Sequence, residues 1–264
     1  MAWIWRGLRE GVVTTRYPAQ PDGYGPGHRS SVRVLATGGG EGGPAGSDVA
    51  GLCPTGAIAW SGGAPRLDRG RCILCGRCVE ARPDRFAFDP SPETARGTRA
   101  GLVVPAVAED DEALDAVRSD LARRVRALRR SVHIRHVDAG SDGSEEWEVA
   151  ALGNPLYDVQ RLGVYFTATP RHADLLLVTG AGAAGMAGPL RRTWDAMPAP
   201  KVVVAAGTDA VSGGLVHPTY ATSGGVSEIV PVDVWVPGSP PSPFSLLQGI
   251  LLAVGLLPWR GGRR

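Results

Sequence analysis

The sequence predicts a small α+β module followed by an α/β domain with a mostly parallel sheet. Three observations predict it. All four cysteines of the chain fall between residues 53 and 78, at spacings that suit a wrapped metal group. Beyond residue 130 short apolar runs recur at the intervals of strands joined by crossover segments. Between the two regions lies a stretch whose charges run acidic to basic, as in a solvated helix. At 264 residues, 43% hydrophobic and 20% charged, the chain has room for one to two globular domains. A net charge of +2 gives no reason to invoke nucleic acid, and Lys201 is the only lysine, so arginine usage reads as coding bias.

Residues 1–20 hold an amphipathic N-terminal helix, since Trp3, Ile4, Trp5 and Leu8 alternate with Arg6, Arg9 and Glu10. Such a helix suits a membrane surface or a membrane subunit, and equally a place on its own domain. Residues 21–90 form the first module. Residues 13 to 52 read as extended and glycine-rich, with a loop at Gly38 to Gly43 expected to be remodelled or mobile. Cys72, Cys75 and Cys78 stand in a C-x-x-C-x-x-C run, and Cys53 is followed by Pro54. In bacterial ferredoxins the cysteine before proline ligates the other cluster of the pair, so Cys53 belongs with the three. This makes the module ferredoxin-like, with one 4Fe-4S cluster on Cys53, Cys72, Cys75 and Cys78. The ligands of a second cluster would fall on Gly43, Gly46, Val49 and Arg82, and none of these is a cysteine. Zinc also takes four thiolates, and buried or disulfide-paired cysteines are a further alternative, although neither burial nor pairing demands this spacing.

Residues 91–130 hold a linker, Ser91 to Ala108, and a charged helix with Leu114, Val117, Leu121, Val125 and Leu128 on one face. The α/β domain occupies residues 131–264. Its strands are Ser131 to Val137, Gly163 to Thr167, Leu175 to Thr179, Val202 to Ala206 and Ile229 to Val236, and Phe244 to Leu257 reads as a covering helix. His172, between Arg171 and Asp174, is either a proton carrier or a loop-end histidine. The glycines from Gly180 to Gly185 follow a strand but make only a weak phosphate-loop match.

Four segments carry a resemblance in order: Arg135 to Gly140, Asn154 to Asp158, Pro170 to Asp174 and Val230 to Val234. The second domain is similar to the small subunit of membrane-bound nickel-iron hydrogenases, including formate hydrogenlyase, and to the 20 kDa subunit of respiratory complex I. The first part resembles the two-cluster ferredoxin subunit of the same complexes, down to Tyr17-Pro18, so the chain reads as a fusion of two adjacent subunits. In that family the second domain binds one 4Fe-4S cluster through four cysteines. The resemblance places the matching positions at Asp142, Glu145, Asp209 and Ser239. No thiolate remains there, so this site is expected to carry no iron-sulfur cluster. The alternatives are a decayed pocket with solvated or backbone-bonded acids, a hard-cation site for magnesium or calcium, and a cluster held by oxygen ligands.

The resemblance implies a peripheral-arm subunit at the cytoplasmic face of the cell membrane, partnered by a hydrogenase-like or complex I-like large subunit and membrane subunits. With the cluster nearest the catalytic subunit missing, a structural role is expected. The alternative is electron transfer through the one remaining cluster, as in a formate hydrogenlyase- or NADH-quinone oxidoreductase-like complex. A third reading has Asp142, Glu145 and Asp209 line a metal or proton site. No signal peptide or membrane-spanning run is read, and reduced thiolates suit the cytoplasm. No nucleophile-base pair or dinucleotide fingerprint makes the chain an enzyme by itself.

Overall fold

A computed structural model describes residues 2–20, 28–35, 46–61, 64–105, 111–126, 131–216 and 218–257. Helix α1 (Ala2–Glu10) is amphipathic, with Trp3, Trp5 and Leu8 exposed, and stops at Gly11, whose φ of 68° suits glycine. Residues 11–20 are not helical. The first module contains β1 (Ser31–Val34), α2 (Gly46–Leu52), β2 (Ile58–Ser61), β3 (Ala64–Asp68), α3 (Arg77–Ala81) and β4 (Phe86–Asp89). Strand β1 pairs antiparallel with β4, and β2 with β3. Val32, Val49, Leu67 and Phe86 form its core against Cys72 and Cys78. The end of the segment expected to be extended is therefore helical. Val49 drives this, because α2 buries it to 1% exposure. The glycine loop from Gly38 to Gly43 lies outside the described residues.

The stretch read as a linker is built into both halves. Arg96 forms an antiparallel bridge with Trp235, and the two exchange N–H to O bonds of 2.9 and 2.7 Å. Strand β5 (Val103–Val104) adds to β3, and Leu102 is fully buried in the core of the second domain. Apolar side chains at the end of the run, Leu102 above all, draw it inward. Helix α4 (Asp111–Val125) follows, and Arg124 near its end pairs with Asp120 and with Asp233 of the second domain.

The second domain runs β6 (Val132–Asp138), α5 (Ser144–Ala151), β7 (Val164–Phe166), β8 (Leu175–Thr179), α6 (Ala184–Ala196), β9 (Val202–Ala206), α7 (Thr208–Ser212), β10 (Val234–Val236) and α8 (Pro243–Ala253). Its sheet has the order β10-β9-β8-β6-β7, and every pair is parallel. Strands β8 and β9 are buried at every residue, as continuous apolar runs require when both faces are covered. The last predicted strand is shorter than expected, beginning at Val234. Pro231 has no N–H for a ladder, and residues Val226–Glu228 make a 3-10 turn.

Helix α8 is more than a cover, since each of its residues is buried. Tyr17 meets Phe244 edge-on at 6.0 Å, and Ala95 donates its N–H to Gln248 Oε1 at 2.9 Å. A helix apolar on every side needs neighbours on every side, and the N-terminal strap and the linker supply them. Among the described residues no helix is long and apolar enough to cross a membrane.

Candidate metal centre

All four cysteines border one cavity. Cys53 follows α2, and the Ala57 N–H points at its Sγ from 3.2 Å. Cys72 and Cys75 lie on the loop between β3 and α3, and Cys78 is in the first turn of the helix. The loop wraps tightly because Leu74 (φ 56°) and Gly76 (φ 81°) take left-handed backbone. For leucine that conformation costs roughly 1–2 kcal/mol, so the surrounding structure holds it in place. Cys72 and Cys78 are buried, Cys53 is half-buried, Cys75 is exposed, and none is in a disulfide. Val32, Ile58, Leu67 and Ile73 make the walls apolar. Burial pushes the Cys72 thiol up to about 12 and raises Cys78 as well, with repulsion from the neighbouring thiolates adding to it. Thiolate charge at these sulfurs needs a cation beside it, which a metal supplies.

A lone zinc ion draws four sulfurs to about 2.3 Å from one point. Among the described residues no three His, Cys, Asp or Glu side chains are grouped as ligands for a metal ion. The thiols border one shared space, and a sulfide-bridged cubane fills the space between its ligands. Four soft donors, apolar walls and an N–H aimed at sulfur fit such a group.

At the positions of the second ligand set, Gly43 is outside the described residues, while Gly46 and Val49 are in α2. Arg82, at the position expected for the fourth, caps the C-terminal end of α3. Its side chain is 9% exposed, its Nε and Nη2 each donate to Asp84 at 2.8 Å, and its guanidinium lies 6.0 Å from the centre of the Trp60 ring. The arginine holds the Asp84 carboxyl down at about 2.

Asp142, Glu145, Asp209 and Ser239 all lie beyond the C-terminal ends of parallel strands, the edge where such sheets gather their sites. Asp142 is exposed and accepts the Ser144 N–H at 2.9 Å, and bonding to Ser144 keeps its pKa low. Glu145 is 1% exposed, and its Oε1 has no hydrogen-bond partner. That oxygen rests on Gly207, where a Cβ would stand 2.5 Å away. Burial raises the Glu145 carboxyl to about 7, and repulsion from Asp209 and Asp142 adds to it. Asp209 is raised too, by burial and then by Asp142. Ser239 follows β10 on a turn tied to α7, where the Thr208 N–H donates to the Gly238 carbonyl at 2.7 Å. The acids feel one another but are not grouped to hold an ion. Oxygen donors of this kind do not fit an iron-sulfur cubane.

Residues that the sequence did not single out stand beside them. Glu146 Oε2 accepts the Ser141 hydroxyl at 2.6 Å, and its Oε1 accepts the Thr179 hydroxyl. Thr179 has one proton and spends it there, so His136 Nε2, 2.9 Å from Thr179 Oγ1, is the donor of that pair. Burial lowers the His136 pKa, although Glu146 opposes this. His172 is exposed at the N-terminal end of β8, across the sheet from the acids, and Asp174 accepts the His133 N–H at 2.8 Å. Gly180 (φ 81°) serves close packing, since a Cβ there would stand 2.6 Å from the Gly140 carbonyl carbon.

Residues 143–253 match the family described as NADH ubiquinone oxidoreductase, 20 Kd subunit. The chain is 38% identical over 161 residues to formate hydrogenlyase subunit 7 of Escherichia coli (strain K12), covering 61% of this chain and 62% of that protein. It is 36% identical over 134 residues to the "probable membrane-bound hydrogenase subunit mbhJ" of Pyrococcus furiosus, covering 51% of this chain and 80% of that protein. With an NADH-quinone oxidoreductase subunit of Desulfovibrio desulfuricans it shares 42% identity over 121 residues, 43% of this chain and 66% of the other. The chain thus spans 62% of the length of the first of these relatives and 66% of the third.

Proposed function

The chain belongs to the family of the NADH ubiquinone oxidoreductase 20 kDa subunit, and from that premise we propose that it is a peripheral iron-sulfur subunit of a membrane-bound, hydrogenase-like or complex I-like assembly. It is a fusion: residues 21–90 are a ferredoxin module, residues 91–130 join it, and residues 131–264 are the family domain. Cys53, Cys72, Cys75 and Cys78 hold one 4Fe-4S cluster, which when bound supplies one-electron storage. The family position at Asp142, Glu145, Asp209 and Ser239 carries none. The chain is therefore structural and not a complete electron wire to a catalytic subunit. One observation carries this reading: every thiol of the chain borders one cavity, while the strand-end edge of the family domain offers only oxygen. The protein sits at the cytoplasmic face of the membrane, and the exposed Trp3 and Trp5 on α1 support contact there.

Iron and acid-labile sulfide counted on anaerobically purified protein test this. About four irons per chain are expected for a lone cubane, and about eight would end the proposal. The exposure of Cys75 favours a second reading, electron exchange with another protein through the cluster edge. Reduction of the cluster during turnover of the assembly would select it, and a cluster that stays oxidised would leave the structural role.

A further inference from the structure

Helix α7 of the family domain touches the loop that carries Cys72. The Thr208 hydroxyl donates to the Cys72 carbonyl at 3.1 Å, and one turn later the Ser212 hydroxyl donates to the Gly70 carbonyl at 2.8 Å. Thr208 is 0% exposed, and its Oγ1 also accepts the Gly238 N–H at 3.3 Å. One side chain therefore joins the cysteine loop to the turn that carries Ser239. Gly70 permits the approach, because a Cβ there would stand 2.8 Å from Val211 Cγ1 and 2.8 Å from the Arg99 guanidinium carbon. From the far side Arg99 clasps Asp68 with bonds of 2.7 and 2.6 Å, and Asp68 also accepts the Gly70 N–H at 2.9 Å. The loop is held on α7 at two carbonyls and from the linker through Asp68.

An adhesive contact between two modules could fall anywhere on their surfaces. This one falls on the backbone of a thiol-bearing residue whose own side chain is buried. A hydroxyl that donates to that carbonyl offsets negative potential next to the thiolate, and hydrogen bonding and burial set how readily a cluster takes an electron. We propose that Thr208 and Ser212 are positioning residues for the 4Fe-4S cluster, which they act on through the carbonyls of Cys72 and Gly70. Thr208 carries the larger effect because its partner is a ligand residue. This rests on the assignment of a cluster to Cys53, Cys72, Cys75 and Cys78.

The test compares full-length Thr208→Val, Thr208→Ser and Ser212→Ala with the unaltered protein, all purified anaerobically. Iron content, the electron paramagnetic resonance spectrum of the reduced cluster and its midpoint potential are measured. Thr208→Val keeps the shape of the side chain and removes the donor. The expected result is a lower midpoint potential and an altered spectrum at unchanged iron content, restored in Thr208→Ser, with a smaller shift in Ser212→Ala. Unchanged potential and spectrum in Thr208→Val would overturn the inference, as would equal shifts in the valine and serine variants. If Thr208→Val loses its iron, Thr208→Ser decides: native potential supports the role and loss of the cluster refutes it. An unaltered protein without iron removes the cluster assignment itself, an outcome separate from a loaded cluster that ignores Thr208.

Discussion

Glu145 is a buried acid with one oxygen, Oε1, left without a hydrogen-bond partner while Oε2 accepts the Ser144 hydroxyl at 3.2 Å, and that makes its cost measurable. An unfolded glutamate titrates near its ordinary value of 4.5, whereas burial and the repulsion of Asp209 and Asp142 raise Glu145 to about 7. Below 4.5 both states are protonated and nothing is lost. As pH rises from 4.5 through 7 the unfolded chain gives up its proton first, so stability falls, by on the order of 3 kcal/mol at the upper end. Glu145→Gln should flatten this dependence: no gain over the parent at pH 4.5 and greater stability at pH 8. Urea unfolding at the two pH values checks it, and parallel losses in both proteins would sink it. The register of the sequence located Glu145. Its burial and its empty oxygen came from the fold, because Gly207 makes room for a carboxylate only after β9 and α5 are in place. Arg82 is a similar case, since the sequence placed an arginine before Pro83 but not the pair of bonds it donates to Asp84.

Elements were legible where local pattern sets them. Four of the five predicted strands match within about two residues at each end; β8 and β9 match at both ends, because a doubly covered strand writes an unbroken apolar run. The misreadings came where the deciding contact is distant. Helix α2 forms on a glycine-rich stretch because Val49 reaches a core made by β1, β3 and β4. Helix α8 looks like a cover by its length but is enclosed, and this gives a prediction. A Cβ on Gly249 would stand 2.3 Å from Val236 Cγ2 on β10, a branched side chain fixed in the sheet. Gly249→Ala should therefore destabilise the protein by about 1–3 kcal/mol despite the better helix propensity of alanine. A thermal midpoint at or above that of the parent would refute the packing argument.

The molecule as a whole is an interlocked pair, and the interlock runs through segments that the sequence presents as connections. Tyr17 and Ala95 cover α8, Arg96 pairs with β10, Arg124 reaches Asp233, and α7 holds the Cys72 loop. Residues 131–264 expressed alone should aggregate or lose cooperative unfolding, since removal of the preceding chain bares apolar α8 and the ladder edge of β10. Light scattering and a denaturation curve read this out, and a monomer with the full-length transition would show that the family domain stands without its partner.

By itself the sequence determined the number of thiols and their grouping within residues 53–78, and the order of strands along the chain. These are facts of residue type and local spacing, and no folding can add a ligand. Only the tertiary structure decided which carboxyl is buried with one oxygen unbonded, which aspartate Arg82 clasps, and which hydroxyls hold the cysteine loop. Each of those depends on residues far apart in the chain meeting at one point, and local pattern carries no record of such meetings.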